Sequence, residues 1–433
     1  MAVDIAIERP DHAGNTYLTW SPRRATVRGQ SAGGPVAVTV ANAAGGTGGQ
    51  VEFAAGPTKP RTATIDLVLP ADGTPVELWV AGQIGRPSLA DQDATIEVRP
   101  AAGGAALAST TAMVRVRKNA TTLTTAERDR FLSALARLNA SGLTPFASFR
   151  EMHKDQLALD QAHGGPGFLA WHRAYLLDLE RELQKLDPSV ALPYWAFADP
   201  APNLFTPDFL GGNFHTGNTV VFAPTNPLQN WQTEGQPGIS RRPRFDPAQT
   251  GAISDQNIPA AADATTVALG GPRPNATFDN GTAAGGFERI EGNPHGTAHR
   301  SMRGYLFNPA TAPRDPLFFL LHCNVDRLWA RWQWWNDRFD GTDAHTYFYR
   351  GSVTSALATD LGHNLLDLLW PWSGLTGGGL PATTPRPPFG AVPTATIPQP
   401  RPAVRDMIDY FGVLQPGSDM DFCYDLVPFG IAP

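Results

Sequence analysis

The chain has 433 residues, of which 42% are hydrophobic and 9% aromatic, enough for one large core and a smaller second domain. Its formal net charge of -6 and the lack of a basic run argue against nucleic-acid binding, so small neutral molecules are the expected ligands. The sequence contains neither an apolar stretch of membrane-spanning length nor the pattern of a signal peptide, so we expect a soluble protein, cytoplasmic or exported with a partner.

Residues 1–118 have the sequence pattern of an all-β domain. Short runs rich in Val, Ile and Thr are separated by Gly, Pro and Asp-Gly turns, which is typical of domains built from many short strands. We predict an N-terminal all-β sandwich domain. Its role is open between a lid, an assembly surface and a passive fusion.

The pattern changes at Asn119, where a mainly α-helical domain spanning 119–433 is predicted to begin. Thr124 and Glu127 have the spacing of a capping box, and leucines follow them at helical spacing. Three later helix starts combine a short polar residue with proline: Thr144-Pro145, Asn293-Pro294 and Asp315-Pro316. The four later predicted helices span 145–158, 167–187, 294–303 and 315–338. Each contains a histidine, so we predict a central four-helix bundle.

The remaining parts of this domain have little periodicity. Residues 200–290 are rich in Pro, Gly, Asn and Thr and are predicted to form long ordered loops. Residues 371–402 form a Pro/Gly segment that is expected to wrap the surface, followed by a short helix at 403–411. The two cysteines, Cys323 and Cys423, are predicted to be reduced, and Cys323 is expected to pack as a small hydrophobic residue within its helix.

Six histidines form two triplets along the chain. They are His153, His163 and His172, followed by His295, His299 and His322. His295 and His299, the first two members of the second triplet, are four residues apart on a predicted helix, so their imidazoles leave one helix face and can share a metal. Such a pair is also common among ordinary surface or core histidines. His322 shifts the balance, because its helix is apolar and a buried imidazole needs a partner for each ring nitrogen.

Two groups of three imidazoles match the ligand count of a dinuclear metal site. Coordination by imidazole alone favours copper, zinc or iron, and copper has the highest affinity among the divalent ions. Asp326, one turn after His322, has two interpretations, an orienting group for a metal ligand or a buried ion pair with an arginine. The histidines outside the triplets are interpreted as ordinary: His12, His215, His345 and His363.

Two stretches resemble the copper-binding signatures of the tyrosinase, catechol oxidase and haemocyanin family. They are HGGPGFLAWHRAYLLDLE at 163–180 and DPLFFLLHCNVD at 315–326. The resemblance, to polyphenol oxidases of the bacterial type, implies a type 3 centre with two copper ions, one on each histidine triplet. It also implies that the protein oxidises o-diphenols to o-quinones with dioxygen.

The same resemblance assigns roles near the second triplet. Members of the family are thought to deprotonate monophenols with a water held by a glutamate and by an asparagine that follows the first histidine of the second site. Glu291 resembles that glutamate, although it also fits an ordinary first-turn glutamate. Gly296 stands where the asparagine is expected, so hydroxylation of monophenols is expected to be weaker than oxidation of diphenols.

Arg300, Phe307 and the distribution of cysteines can also be compared with the family pattern. Arg300 either lies at the cavity mouth, where it would meet a substrate carboxylate, or is solvated. Phe307 is a candidate for the aromatic residue that covers the second copper in plant enzymes. The thioether between histidine and cysteine seen in plant and fungal relatives is excluded, because no cysteine lies between 119 and 322. The alternative function is reversible transport of dioxygen, as in haemocyanins.

Overall fold

The computed structural model of the chain describes residues 2–8, 14–140, 145–212, 219–279, 285–347, 362–376 and 402–427. It divides into two units. The first contains the residues up to Arg117 together with Tyr410–Leu426, and the second runs from Lys118 to Asp409. The C-terminal segment Tyr410–Leu426, which the sequence analysis assigns to the helical domain, therefore groups with the β-rich unit.

The described part of the first unit contains nine strands. They are β1 (Ala2–Ile7), β2 (Tyr17–Leu18), β3 (Arg23–Gln30), β4 (Val36–Asn42), β5 (Val51–Ala54), β6 (Thr64–Leu69), β7 (Val76–Gly82), β8 (Ala94–Pro100) and β9 (Ala108–Val114). One sheet has the strand order β1-β3-β7-β5, and the other has the order β2-β9-β8-β4-β6. The pairs between these strands are antiparallel apart from β2 with β9.

Each sheet buries one face through alternating side chains. In the first sheet Ala25 of β3 is opposite Leu78 of β7, and both are fully buried. In the second sheet Val40 of β4 is opposite Val98 of β8, and both are again fully buried. Burial of an aliphatic side chain of this size contributes about 1.5–3 kcal/mol, so these inward positions stabilise both sheets. The predicted all-β character of this region is confirmed.

The C-terminal segment of this unit is anchored by buried polar contacts. Arg23 Nη2 lies 2.5 Å from Asp419 Oδ1, and Arg115 Nη2 lies 2.6 Å from Asp421 Oδ2. Trp20 Nε1 donates a hydrogen bond of 2.8 Å to the Tyr424 carbonyl. These partners are roughly 300–400 positions apart in the chain, a separation across which local sequence patterns carry no information.

The described part of the second unit is mainly helical. Its helices are α1 (Thr125–Ala140), α2 (Pro145–Lys154), α3 (Gln156–Ala162), α4 (Gly167–Leu186), α5 (Asp263–Val267), α6 (His295–Met302) and α7 (Leu317–Asn336). A two-residue hairpin is formed by β10 (Gln232–Thr233) and β11 (Gln236–Pro237). None of the described helices combines the length and the hydropathy that crossing a bilayer requires.

The predicted capping box at the start of α1 is confirmed. The Thr124 backbone N–H donates to Glu127 Oε2 at 2.9 Å, and the Glu127 backbone N–H donates to Thr124 Oγ1 at 3.3 Å. Both contacts satisfy N–H groups that have no partner within the helix.

The prediction of one helix over 145–158 is wrong. Helix α2 ends at Lys154, and the Asp155 carboxylate accepts hydrogen bonds from Leu157 N at 2.9 Å and Ala158 N at 3.4 Å. An aspartate that caps a new helix interrupts the periodic pattern, which the apolar spacing alone does not reveal. The start of α2 at Thr144 lies outside the described residues.

The other two predicted helix starts have different outcomes. Asp315 caps α7 as predicted, because its Oδ1 accepts from Leu317 N at 2.9 Å. Asn293 does not cap α6, since its Oδ1 accepts from the Ala261 backbone N–H at 3.1 Å instead. A cap residue competes for any nearby donor, and here a loop distant in sequence provides it.

The described loops agree with the pattern read from the sequence. Between 200 and 290 the regular elements are the short hairpin, α5 and the 3-10 helix Phe287–Glu291. The helix expected at 403–411 is shorter, a 3-10 turn over Val404–Met407. Most of the Pro/Gly segment, residues 377–401, lies outside the described residues. Cys323 and Cys423 are both buried and are not joined by a disulfide, and the burial of Cys323 within its helix agrees with the prediction.

Candidate metal centre

The six triplet histidines come from five neighbouring parts of the second unit. His153 lies in the last turn of α2, His163 directly follows α3, and His172 lies in the first half of α4. His295 and His299 lie on α6, and His322 lies on α7. Four of the side chains are buried, while those of His163 and His299 are half-buried. None of the six lies on the exterior.

The structure brings the members of each triplet together. Within each triplet, one ring nitrogen per histidine lies within 4.8 Å of the others. The two triplets also adjoin, because the rings of His172 and His322 stack with centroids 4.0 Å apart and an angle of 9° between their planes. The two clusters therefore share one pocket.

Backbone carbonyls orient five of the six imidazoles. In each case Nδ1 lies 2.8–3.2 Å from a carbonyl oxygen; the pairs are His153 with Pro309, His163 with Leu159, His172 with Phe168, His295 with Glu291, and His299 with Leu306. A carbonyl only accepts, so Nδ1 carries the proton and Nε2 keeps its lone pair. This is the usual arrangement around metal-binding histidines, where the second ring nitrogen fixes the tautomer and the ring orientation.

The positions of the Nε2 atoms fit a metal ion. His322 Nε2 lies 3.4 Å from His295 Nε2 and 3.1 Å from His299 Nε2. Two nitrogens bound tetrahedrally at about 2.0–2.1 Å from one ion would be ~3.3 Å apart. In the first triplet, His153 Nε2 and His172 Nε2 are buried and have no hydrogen-bond partner among the described residues. A bound cation would satisfy these lone pairs.

Burial keeps the imidazoles neutral. Desolvation lowers the pKa of His163 and His299 to about 4, and it lowers the pKa of the other four histidines well below the usual range. Because the neutral form is the one that binds metal, the site is ready for coordination at neutral pH.

Two phenylalanines pack the triplets against each other. The ring centroid of Phe168 lies 4.8 Å from that of His172 and 4.7 Å from that of His295. The centroid of Phe318 lies 4.8 Å from that of His153 and 4.3 Å from that of His322. Each ring contacts one histidine from each triplet. Phe168 and Phe318 lie within the stretches 163–180 and 315–326, but no local sequence signal indicates that they contact both triplets.

Glu291 lies at the edge of the histidine cluster. It ends the 3-10 helix before α6, and its Oε1 accepts a hydrogen bond of 2.8 Å from the Gly164 backbone N–H, next to His163. Its carbonyl accepts from His295 Nδ1 at 2.9 Å. Burial raises the pKa of the Glu291 carboxyl to about 7, against the lowering effect of the Gly164 hydrogen bond. The residue therefore contacts segments that carry a ligand candidate of each triplet.

Gly296 and Arg300 lie together on α6. Arg300 is exposed, and its guanidinium folds back across the glycine. A side-chain Cβ at position 296 would lie 3.0 Å from Arg300 Nη1 and 3.1 Å from the Glu291 carbonyl oxygen. Arg300 thus lies on the exposed side of the helix, over the position where the family pattern has asparagine.

Asp326 is one half of a buried ion pair. Its Oδ1 lies 2.6 Å from Arg173 Nε, and both side chains are almost fully buried. The arginine follows His172 on α4, and the aspartate is one turn after His322 on α7. The pair therefore ties together the two helices whose imidazoles stack between the triplets.

The aromatic cover proposed for the second copper is not provided by Phe307. Its side chain is 55% exposed, so the hypothesis that Phe307 covers the site is wrong. In the 3-10 helix Gly304–Phe307 the buried side chain is that of Leu306, and a local sequence pattern does not reveal which of two adjacent apolar side chains is buried.

The histidines outside the triplets differ from one another. His345 is exposed, and its Nδ1 lies 2.9 Å from Asp343 Oδ1. His363 lies close to the centre instead, since a Cβ at Gly165 would be 2.9 Å from His363 Nε2. No sequence motif links positions 165 and 363, so sequence reasoning had no signal for this contact. His12 and His215 lie outside the described residues.

Comparison with known sequences identifies relatives of the helical unit. The family model for the common central domain of tyrosinase matches residues 143–335. Grixazone synthase of Streptomyces griseus is 32% identical over 266 residues, which cover 51% of this chain and 85% of that protein. The tyrosinase of Streptomyces glaucescens is 34% identical over 242 residues, covering 50% of this chain and 82% of that protein.

Comparison with solved structures gives more distant similarities. A functional unit of octopus hemocyanin has a TM-score of 0.45 and 19% identity, covering 72% of this chain and 68% of that one. The G292N mutant of a polyphenol oxidase from Thermothelomyces thermophila has a TM-score of 0.43 and 20% identity, covering 72% of this chain and 88% of that one.

Proposed function

The chain belongs to the tyrosinase family of copper oxidoreductases, and we propose that it oxidises o-diphenols to o-quinones with dioxygen. The observation that supports this proposal most strongly is the pair of adjoining histidine triplets, whose ring nitrogens lie together in one pocket. In this proposal the six histidines bind two copper ions, and helices α2, α4, α6 and α7 form the bundle that encloses them. The catalytic domain is the helical unit, and its partners are a small phenol and dioxygen.

The reaction balances without a further reductant. Each of two catechols loses two electrons and two protons, and one dioxygen molecule accepts four of each to become two water molecules. Copper, when bound, supplies the one-electron redox steps between the diphenol and dioxygen. The six neutral imidazoles add no charge to the pocket, which favours the approach of an anionic phenolate.

The protein's own groups provide the proton chemistry and the shape of the pocket. Glu291 is the proposed water-holding base, because its carboxylate is fixed by Gly164 N–H beside one ligand of each triplet. Phe168 and Phe318 exclude water from the imidazoles. Gly296 offers no second group to hold the water, so we propose that monophenols are hydroxylated more slowly than diphenols are oxidised. Arg300 and Asp326 have no direct part in this proposal.

The test of this function is to load the purified protein with copper and to add 4-methylcatechol in air. We expect continuous formation of the coloured quinone. The competing function is reversible transport of dioxygen, as in a haemocyanin. Absence of quinone together with an absorption band that appears in air and disappears under vacuum would favour the carrier. Tyramine and dopamine then compare the two activities, and turnover of dopamine is expected to be faster.

Replacement of Glu291 by glutamine should separate the two activities further. Glutamine keeps the size of the side chain but cannot accept a proton, so we expect hydroxylation of tyramine to fall by about 10²-fold, the usual contribution of a general base. Dopamine oxidation should fall much less. Initial rates on both substrates at equal copper content measure the effect. An equal loss on both substrates would contradict the assigned role and indicate a structural one.

A further inference from the structure

A large cavity lies beside the histidine cluster, with a volume of about 960 Å³. Its wall includes residues 164–166, directly after His163, and residues 291–293, which end two positions before His295. The hydrogen bond from Gly164 N to Glu291 Oε1 joins these two stretches. The cavity is therefore lined by residues that lie close in the chain to His163 of the first triplet and to His295 of the second.

Among the charged side chains described on the wall, acidic groups outnumber basic ones. Three carboxylates line the cavity, those of Asp279, Glu288 and Glu291, against the single guanidinium of Arg289. The three carboxylates, when all are ionised, exceed the guanidinium by two negative charges among the described lining residues. Asp279 and Glu288 are half-buried, whereas Arg289 is exposed. Because water screens an exposed charge more than a half-buried one, the carboxylates outweigh Arg289 among the described charges of the wall.

The negative charge of Glu288 affects Tyr347, a residue behind the wall of the cavity. The Tyr347 hydroxyl oxygen lies 2.7 Å from the Pro166 carbonyl oxygen and 2.8 Å from the Gly362 carbonyl oxygen, so its one proton is directed at this pair of carbonyls and the hydroxyl lies directly behind the cavity lining. Burial raises the pKa of Tyr347 well above its usual value, and the negative charges of Asp367 and Glu288 raise it further. The Glu288 carboxylate is therefore close enough to this part of the wall for its charge to stabilise or destabilise charged groups there.

We propose that this cavity is a subsite for the side chain of the substrate and that it selects phenols with a cationic amine over phenols with a carboxylate. The inference rests on the proposed function and specifies its substrate class. The aromatic ring lies toward the coppers, and the ammonium group lies among Asp279, Glu288 and Glu291. Leu269 and Ala261 provide apolar wall for the linking methylene groups. The exposed Arg300 does not line this cavity.

Binding without turnover tests the proposal. Tyramine and 3-(4-hydroxyphenyl)propionate have side chains of similar length and opposite charge, and 4-ethylphenol is the neutral reference. Their dissociation constants are measured by calorimetry on the copper-loaded protein under strictly oxygen-free conditions. We expect tyramine to bind at least about tenfold more tightly than the acid at low ionic strength, and 0.5 M salt to reduce that preference.

The double variant Asp279→Asn with Glu288→Gln should lower the preference at least about fivefold, since both side chains keep their shape and lose their charge. The affinity for 4-ethylphenol reports whether the pocket is intact. The matched control, Asp160→Asn with Glu182→Gln, removes two carboxylates of the same unit that do not line the cavity, and it should retain the preference.

Equal affinities in the wild-type protein, a preference for the acid, or a preference that the double variant retains would each overturn the proposal. A preference for the acid would show that Arg289 or Arg300 dominates the field. These outcomes are independent of the 4-methylcatechol assay in air. A protein that prefers amines but forms no quinone would support the subsite and contradict the proposed function. A protein that forms quinone without preferring amines would support the function and contradict the subsite.

Discussion

Replacement of His322 by alanine should abolish oxidation of o-diphenols. We expect bound copper to fall from two ions to about one per chain, because His322 Nε2 is the atom that approaches both His295 and His299. If the metal no longer stabilises the transition state, several kcal/mol are lost, and this corresponds to a rate reduction of ~10³-fold or more. Copper content and the initial rate of quinone formation are measured on the same preparation.

Two further variants make this result interpretable. His345→Ala removes an exposed histidine that pairs with Asp343 and should retain both copper ions and full activity. His322→Gln keeps much of the buried volume, so it tests whether the loss comes from the missing ligand and not from a cavity in α7. A His322 variant that keeps two copper ions and oxidises 4-methylcatechol at the wild-type rate would contradict the assignment of this residue as a ligand.

Replacement of Arg173 by leucine should be the most destabilising of the changes considered. The guanidinium contacts Asp326 at 2.6 Å, donates to Gln333 Oε1 at 2.9 Å and to the Met407 carbonyl at 2.7 Å, and lies 3.7 Å from the ring centroid of Trp329. Its removal takes away the ion-pair partner of the buried Asp326 carboxylate, which costs about 3–5 kcal/mol. Urea unfolding of the copper-free protein, followed by tryptophan fluorescence, measures the loss.

The controls distinguish charge from geometry. Arg173→Lys retains the positive charge but cannot reproduce the planar set of donors, so we expect an intermediate loss of stability. Lys185→Met breaks the exposed pair with Glu182 and should change the free energy of unfolding by less than about 1 kcal/mol. If Arg173→Leu were as stable as Lys185→Met, the buried pair would not hold α4 against α7, and the positioning of His172 and His322 would need another explanation.

Several elements of the site are predictable from neighbouring residues alone. The apolar helix around His322 and the spacing of His295 and His299 identify ligand candidates, because a helix turns by a fixed angle per residue. The capping box of Thr124 and Glu127 is similarly local, since all its atoms lie within one turn. The two signature stretches at 163–180 and 315–326 then indicate copper and the family.

Other elements depend on packing between distant parts of the chain. The stacking of His172 on His322 joins residues 150 positions apart, and the Glu291 contact with Gly164 spans 127 positions. For Asp326 the sequence left two interpretations open, and the structure shows the arginine pair. His363 looked ordinary in the sequence and lies on the wall of the cavity.

The sequence by itself determined the six candidate metal-binding side chains, the helices that carry most of them and the family. These depend on residue chemistry and on interactions within a few turns. Only the tertiary structure decided that the two triplets share one pocket, that carbonyls direct five of the six imidazoles, and that three acidic side chains line the adjoining cavity. Such arrangements are set by the burial of apolar surface over the whole unit, which brings together groups that no local pattern connects.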